Sequence, residues 1–137
     1  MREIKFRARS IDNKEWVYGF YLEEYTLLEG NQSHNFESMT ENGPFVLGAM
    51  IQLKSYKLPV DKNTVGEFTG MHDKNGKDIY EGDIIEWDGY RSPVEFSYGS
   101  FVIRPFHQEV EVLLSRCDED DILVLGNIYE NPDLLSN

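Results

Sequence analysis

The stretch Thr64–Trp87, TVGEFTGMHDKNGKDIYEGDIIEW, decides the fold, because two runs of strand-forming residues lie on either side of a dense set of turn residues. Asn75-Gly76 is the strongest hairpin signal in the chain and predicts the centre of a type I′ turn. Glu81-Gly82-Asp83 then turns the chain into the apolar pair Ile84-Ile85. We expect this central stretch to act as a structural hinge in which glycines supply backbone conformations at positive φ. The predicted turn positions are Gly66, Gly70, Asn75, Gly76, Gly82 and Asp83.

Four titratable side chains of the central stretch could on paper be assembled into an acid–base or divalent-metal site: His72, Asp73, Glu81 and Asp83. A calcium loop of the EF-hand type needs Gly at its sixth position and Glu at its twelfth. Counted from Asp73, those positions are Asp78 and Ile84, so the loop fails both requirements. We expect Asp73 to bond local backbone, and the two carboxylates beside Gly82 to be solvated. The sequence therefore predicts no catalytic residue, no metal ligand and no cofactor.

The composition sets further bounds. The 137 residues include 25 acidic and 13 basic side chains, and the formal net charge of −12 repels phosphate backbones on average. Cys117 is the only cysteine, so an intrachain disulfide is excluded and a reducing compartment is favoured. The four acidic residues after it would raise the pKa of its thiol, which argues against an activated nucleophile. Since neither a secretory leader nor an apolar run of spanning length is apparent, we expect a cytoplasmic protein without membrane contact.

The N-terminal segment predicts a β-hairpin. Residues 2–9 alternate with a period of two, which places Lys5, Arg7 and Arg9 on one face as the one basic ridge of the chain. Ile11–Lys14 is typical of a turn. The returning strand at 15–21 is apolar or aromatic on both faces, so we expect it to be buried on both sides or covered by a partner.

Basic and aromatic side chains of this hairpin are the candidate interaction residues: Lys5, Arg7, Arg9, Trp16, Tyr18 and Tyr21. Cations for phosphates and rings for bases are what single-stranded nucleic acid needs, so one interpretation is a nucleic-acid-binding surface. The favoured interpretation is structural, with the cations paired to nearby acids and the rings of Trp16, Tyr18 and Phe20 filling the core. A further subunit or partner surface could form from side chains outside the regular pattern, namely Tyr21, Tyr25, Leu27 and Leu28.

The remaining chain is assigned by its turn spacing. Residues 23–63 are expected to be an irregular insertion and link, with short apolar runs at 45–47 and 50–53 that favour strands, a short helix being the alternative. Residues 64–130 show strand patterns about 8–12 residues apart with Gly-containing turns, which predicts an SH3-like small-barrel meander. Asn131-Pro132-Asp133 predicts one capped helical turn over Pro132–Leu135. The predicted fold class is mainly β: a hairpin over 1–22, the insertion, the meander and a minor helix within one domain, 1–137.

The central stretch also carries a family resemblance. Its part Gly66–Ile85, GEFTGMHDKNGKDIYEGDII, together with Ile4–Ala8 and a closing segment Leu125–Pro132, resembles the YopX family of small proteins encoded by bacteriophages and prophages. The resemblance extends over almost the whole chain and is weak only at about 22–57. Arg9 stands where the family usually has an aromatic residue. The family has no established activity, so the resemblance implies a genomic setting and no reaction.

These observations favour a non-enzymatic phage or prophage accessory protein in the cytoplasm of the bacterial host cell. We expect it to act through protein–protein contacts, as a homo-oligomer and with a phage or host protein as partner. Two alternatives stay open. One is a nucleic-acid-binding small barrel that uses the ridge of Lys5, Arg7 and Arg9, which the net charge disfavours, and the other is a divalent-metal-dependent enzyme.

Overall fold

The computed structural model describes residues 3–27, 45–53, 57–105 and 110–136, and these residues are mainly β, as predicted. Within these ranges the helical segments are short 3₁₀ turns, and none is long and apolar enough to cross a membrane. The strands are β1 Phe6–Arg9, β2 Trp16–Leu27, β3 Phe45–Gln52, β4 Lys57–Pro59, β5 Gly66–His72, β6 Asp78–Tyr80, β7 Asp83–Trp87, β8 Tyr90–Pro93, β9 Glu95–Ser97, β10 Ser100–Ile103, β11 Val112–Leu113 and β12 Ile122–Asn127.

The chain divides into two compact units. Residues 6–65 form the N-terminal unit, and residues 66–137 with residues 1–5 form the C-terminal unit. The division falls between Val65 and Gly66, at the start of the central stretch. The prediction of one domain over 1–137 stays a prediction.

The N-terminal unit contains antiparallel strands in the order β4-β3-β2-β1. The predicted hairpin is present, with Arg9 opposite Trp16 and Arg7 opposite Tyr18. Its second strand does not end at residue 22, as predicted, but continues to Leu27, because the whole of β3 pairs with residues 20–27. The apolar run predicted at 45–47 and all but the last residue of the run at 50–53 belong to one strand, which Gly48 and Ala49 do not interrupt. Part of the expected insertion is therefore regular sheet, while residues 28–44 lie outside the described ranges.

One face of this sheet forms the core of the N-terminal unit. Fully or almost fully buried side chains are supplied by β1, β3 and the segment after β4, namely Ala8, Ala49, Ile51 and Val60. Val17 and Tyr21 of β2 pack against them. Gly19 lies between these two residues, and a Cβ there would collide with the Gln52 carbonyl oxygen of β3. The close approach of β2 and β3 thus requires glycine at this position.

The C-terminal unit contains the pair β5-β6 and two three-stranded antiparallel sheets, β12-β7-β8 and β11-β10-β9. Their shared core consists of Ile79, Ile85, Val94, Ile103, Leu114, Cys117 and Ile122. β11 is short, since Val112–Leu113 pair with β10 and the following Leu114–Arg116 form a 3₁₀ turn that buries Leu114. The described residues show separate antiparallel sheets, and the SH3-like barrel predicted for 64–130 stays a prediction.

Candidate functional site

Asp73, in the middle of the central stretch, is buried and bonded to backbone on both sides. It is 5% exposed. Its Oδ1 accepts hydrogen bonds from the backbone nitrogens of Asn75 (2.9 Å) and Lys77 (3.0 Å), and its Oδ2 accepts one from the nitrogen of Val124 in β12 (3.0 Å). Burial alone would raise the pKa of this carboxyl, but the three N–H donors outweigh it and hold the pKa below its usual value. The carboxylate therefore joins the turn to a strand 51 residues away.

The turn around Asp73 is not of type I′, as predicted from Asn75-Gly76. The Gly76 nitrogen donates to the Asp73 carbonyl oxygen (2.9 Å), so Lys74 and Asn75 occupy the central positions, and Asn75 has no positive φ. Only Gly76, at φ +82°, is left-handed, as in a three-residue hairpin loop that closes with a glycine bulge. The reason is the Asp73 side chain, which binds the nitrogens on both sides of Gly76 and selects this turn.

The stability of the protein should follow the ionisation of Asp73. Because its pKa is lowered in the folded state, its contribution is complete above the pKa of an Asp in the unfolded chain and is lost as pH falls through the lower folded-state value. We expect urea unfolding at a series of acidic pH values to show this loss. The stability of Asp73→Ala should change less over the same pH range. Equal slopes of unfolding free energy against pH for the two proteins would contradict the assignment.

Asp83 is also buried, which corrects the expectation that it is solvated. It is 1% exposed, and its Oδ2 accepts a hydrogen bond from the Tyr80 nitrogen (2.8 Å). Gly82, at φ +93°, turns the chain so that the carboxylate points back into the turn. Glu81, on the other side of Gly82, is half-buried, and burial raises the pKa of its carboxyl. Asp73 and Asp83 thus both accept hydrogen bonds from backbone nitrogens.

The closing segment packs on the same turn. The Ile128 nitrogen donates to the Gly82 carbonyl oxygen (2.9 Å), and the Tyr129 ring lies 3.2 Å from where a Cβ of Gly82 would be. Asn127 accepts hydrogen bonds at Oδ1 from the nitrogens of Tyr129 and Glu130. The helical turn Pro132–Leu135 is present, but Asn131 does not cap it, because its Oδ1 accepts from the Asn127 nitrogen (3.2 Å). Two of the segments that carry the family resemblance, the turn at Gly82 and the closing segment, therefore hold each other in place.

The glycines of the central stretch serve two different purposes. Gly70, Gly76 and Gly82 have positive φ, the conformation for which glycine was predicted. Gly66 does not, so the prediction gave the wrong reason for this residue. A Cβ at Gly66 would collide with the Glu81 carbonyl oxygen. Close approach of two backbone segments, and not left-handed backbone, requires glycine there.

His72 lies on the surface beside charged side chains. Its Nε2 is 3.0 Å from Asp78 Oδ1, and its backbone nitrogen donates to Glu119 Oε2 (2.7 Å). Asp78 Oδ2 also pairs with Lys5 Nζ (2.8 Å), which lies 4.6 Å from the centre of the Phe68 ring. In the described ranges no three His, Cys, Asp or Glu side chains are placed to hold a metal ion together.

The predicted basic ridge is not one exposed surface. Lys5 belongs to the C-terminal unit and is paired with Asp78. Arg7 is only 6% exposed, and its guanidinium carbon lies 4.7 Å from the centre of the Trp16 ring. Arg9 lies 6.0 Å from the same ring, and its Nε donates to the Lys14 carbonyl oxygen. Arg7 is therefore not placed to meet a phosphate chain.

Two aromatic residues of β2 are exposed, although burial was expected. Tyr18 and Phe20 are 49% and 63% exposed, so the expectation that they fill the core is wrong. The core lies on the other face of β2, where Val17 and Tyr21 pack and where the Tyr21 hydroxyl donates to Glu23 (2.6 Å). Arg9, Trp16, Tyr18 and Phe20 share the outer face of β1 and β2, which we call the aromatic face.

The two remaining predicted features are the partner surface and Cys117. Tyr25 and Leu27 are in the last part of β2, and Leu28 lies outside the described ranges. Cys117 is buried in the core of the C-terminal unit. Burial, with a smaller effect from Asp121, raises the pKa of its thiol. The expected direction was correct, although its main cause is burial and not the acidic run.

The comparisons with known proteins agree with this architecture. The family described as YopX protein matches residues 5–136. The crystal structure of protein EF1440 from Enterococcus faecalis is 24% identical in sequence and covers 99% of this chain and 100% of that chain, with a TM-score of 0.53. This likeness shows the fold. A search of curated proteins returns no match.

Proposed function

Because the chain belongs to the YopX protein family over nearly its whole length, we propose that it is a non-enzymatic phage or prophage accessory protein that binds another protein through its aromatic face. The observation that carries the proposal is the exposure of Tyr18 and Phe20. Phe20 is an entirely apolar side chain at alternate spacing from Tyr18, in the middle of a twelve-residue strand. Exposed aromatic side chains that adjoin one another on a sheet are uncommon outside binding sites.

The chemistry of the partner follows from the charges around this face. Arg9 is part of it, and the exposed Lys14 and Lys57 lie on neighbouring elements, with Lys57 opposite Gln52 and Gln52 opposite Phe20. Residues 6–65 contain six basic and eight acidic side chains, so this unit has far less of the net charge than the rest of the chain. The fitting occupant is an acidic protein segment with an apolar side chain that covers Phe20.

The polar residues of the central stretch support a role without catalysis. A general base or metal ligand needs lone pairs directed at a substrate or an ion. Asp73 uses its oxygens for three backbone donors, and Asp83 accepts from Tyr80. The His72 Nε2 lies 3.0 Å from Asp78 Oδ1 on the surface. Three of the four residues that could form a site on paper thus have a partner within the protein.

Single-stranded nucleic acid is the second candidate for the same face. In its favour, side chains two apart on a strand lie about 6.5–7 Å apart, and exposed rings at that spacing can stack on bases. Against it, Arg7 is buried on Trp16, Lys5 is paired with Asp78, and the net charge of −12 opposes a phosphate chain. The protein partner is therefore the better fit.

Photo-crosslinking from the aromatic face distinguishes the two candidates. With benzoylphenylalanine in place of Phe20, we expect an adduct from host cells expressing the phage genes that survives nuclease and is destroyed by protease. Arg9→Glu in the same protein should lower its yield about tenfold, since the partner is acidic. The matched control places the same group at Tyr90, which is exposed in the C-terminal unit. A nuclease-sensitive adduct, or equal adducts from both positions, would contradict the proposal.

The aromatic face should be dispensable for folding. We expect Phe20→Ser to keep the melting temperature of the native protein within a few degrees, because Phe20 is mostly exposed. The same change should remove the partner from the protein in a binding assay, since it deletes the apolar anchor. A thermal melt next to a pull-down checks both parts. A folded Phe20→Ser protein that retains the partner would rule out this face.

A further inference from the structure

The β9–β10 hairpin carries a tyrosine where its backbone disfavours one. Tyr98 and Gly99 connect Ser97 to its opposite residue Ser100, and both have positive φ, +49° and +81°. This is a two-residue type I′ turn, in which Asn, Asp or Gly is preferred at the first position. The β7–β8 hairpin has the same backbone and follows the preference with Asp88-Gly89, at φ +51° and +80°. Tyr98 therefore costs the turn stability, and its side chain is fully exposed.

The hairpin that carries Tyr98 is braced at its base. Arg104 Nε donates to Glu95 (3.1 Å), and Arg104 Nη2 donates to Glu111 (2.7 Å). Glu111 accepts a second bond from the Ser97 hydroxyl (3.0 Å), one residue before Tyr98. The backbone of this turn is thus fixed in a defined conformation, and the Tyr98 side chain projects from it into solvent. A group that is fixed before binding loses less conformational entropy when it binds.

A cavity of about 260 Å³ lies beside this turn. The apolar side chains that line it are Met71, Phe96, Phe101 and Leu114, and the lining also includes Thr69, Gly99, Ser100 and Ser115. Phe96 and Phe101 pack edge to face at 5.1 Å, and Phe96 is half exposed. The cavity is smaller than the roughly 300–1,000 Å³ of pockets for drug-sized ligands, so one side chain is the fitting occupant.

We propose that Tyr98 of each protomer inserts into this cavity of a second copy, which gives a two-fold symmetric dimer. In a two-fold interface the same patch contacts itself, so a projecting group and its acceptor must lie next to each other on one molecule. Tyr98 and the cavity meet this condition, since Gly99 and Ser100 follow Tyr98 and line the cavity. Phe96 and Phe101 can contact the inserted ring edge to face. The exposed Ser115 can accept a hydrogen bond from its hydroxyl.

The charge of the C-terminal unit gives this contact a characteristic salt dependence. Residues 1–5 and 66–137 contain 17 acidic and seven basic side chains, so two such units repel each other. The cavity that receives the ring is lined by no charged side chain. Salt screens the repulsion and leaves this uncharged contact intact, so we expect the dimer to be stronger at high salt. Binding of an acidic partner to the aromatic face should instead weaken with salt.

Light scattering after size exclusion, at high micromolar concentration, tests the dimer. We expect the native protein to be a dimer and Tyr98→Asn to associate at least about thirtyfold more weakly. Tyr98→Asn creates the favoured Asn-Gly turn, so its monomer should melt at or above the temperature of the native monomer. Ser115→Phe fills the cavity from an exposed position and should also give a monomer.

The control variant is Phe20→Ser, which should remain dimeric although it loses the proposed partner. The dimer and the proposed function can therefore fail separately. A monomeric native protein at both low and high salt would overturn the dimer. Dimers of both Tyr98→Asn and Ser115→Phe, each with a native melting temperature, would overturn the assigned contact.

Discussion

Asp73→Asn is expected to lower the free energy of unfolding by about 3 to 4 kcal/mol, although it hardly changes the shape of the side chain. Both carboxylate oxygens of Asp73 accept hydrogen bonds, from Asn75 and Lys77 at Oδ1 and from Val124 at Oδ2. An amide has one oxygen and one NH₂ group. In one orientation of the amide its NH₂ group faces the Val124 N–H, and in the other it faces the N–H groups of Asn75 and Lys77. One or two backbone donors therefore lose their acceptor in a buried site.

Equilibrium unfolding in urea measures this loss, and Asp88→Asn is its matched control. The control makes the same chemical change in the type I′ turn Asp88-Gly89, where Asn is as well accepted as Asp. We expect Asp88→Asn to change stability by less than about 0.5 kcal/mol. If Asp73→Asn is as mild as Asp88→Asn, the carboxylate does not join the turn to β12 in the way described.

Gly66→Ala is the second change with a large expected effect, about 3 kcal/mol of lost stability. Gly66 has an ordinary backbone conformation, so Ala is acceptable to its φ and ψ. The added Cβ, however, would collide with the backbone carbonyl oxygen of Glu81. A backbone atom cannot rotate away as a side chain can, and Glu81 is also held by a hydrogen bond from its nitrogen to the Glu67 carbonyl oxygen (2.9 Å). The two segments must move apart to admit the methyl group.

Gly76→Ala provides the comparison for Gly66→Ala. Gly76 has φ +82°, and a Cβ there meets nothing within 4 Å, so only backbone strain opposes the change. We expect it to cost about 1 to 2 kcal/mol. Thermal and urea unfolding of both variants give the ranking, with Gly66→Ala the more destabilised. A larger loss for Gly76→Ala would mean that positive φ, and not close backbone approach, limits this segment.

Much of the fold could be predicted from local patterns. Alternation at residues 2–9 and 15–21 placed the hairpin, and the Gly-containing turns marked the strand ends of the C-terminal unit. These signals depend on neighbours in sequence, which is why they can be seen in one sequence. The extension of β2 to Leu27 was missed because its partner strand begins at residue 45. Its polar residues Glu23 and Glu24 do not indicate a strand by themselves.

The candidate sites were harder to predict, because they depend on which surface the fold covers. Period two shows that Tyr18 and Phe20 share a face, but not whether that face meets the core. The burial of Asp73 cannot be predicted from its neighbours in sequence, because one of its hydrogen-bond donors is Val124, 51 residues away. For Tyr98 a local signal did exist, since Tyr-Gly stands between two paired strands, where Asn-Gly or Asp-Gly is usual. A bulky residue at such a position is a useful indication of an exposed contact group.

We propose that the polar residues of the central stretch hold the fold and do not form an active or metal site. The most direct test is a pH titration of the backbone amides of Asn75, Lys77 and Val124 by NMR, with and without a divalent cation. We predict that the three amides shift together with one midpoint, below the usual pKa of an Asp side chain, and that magnesium or calcium leaves them unchanged. Three separate midpoints, a midpoint at or above the usual value, or a shift of these amides on adding the cation would contradict the claim.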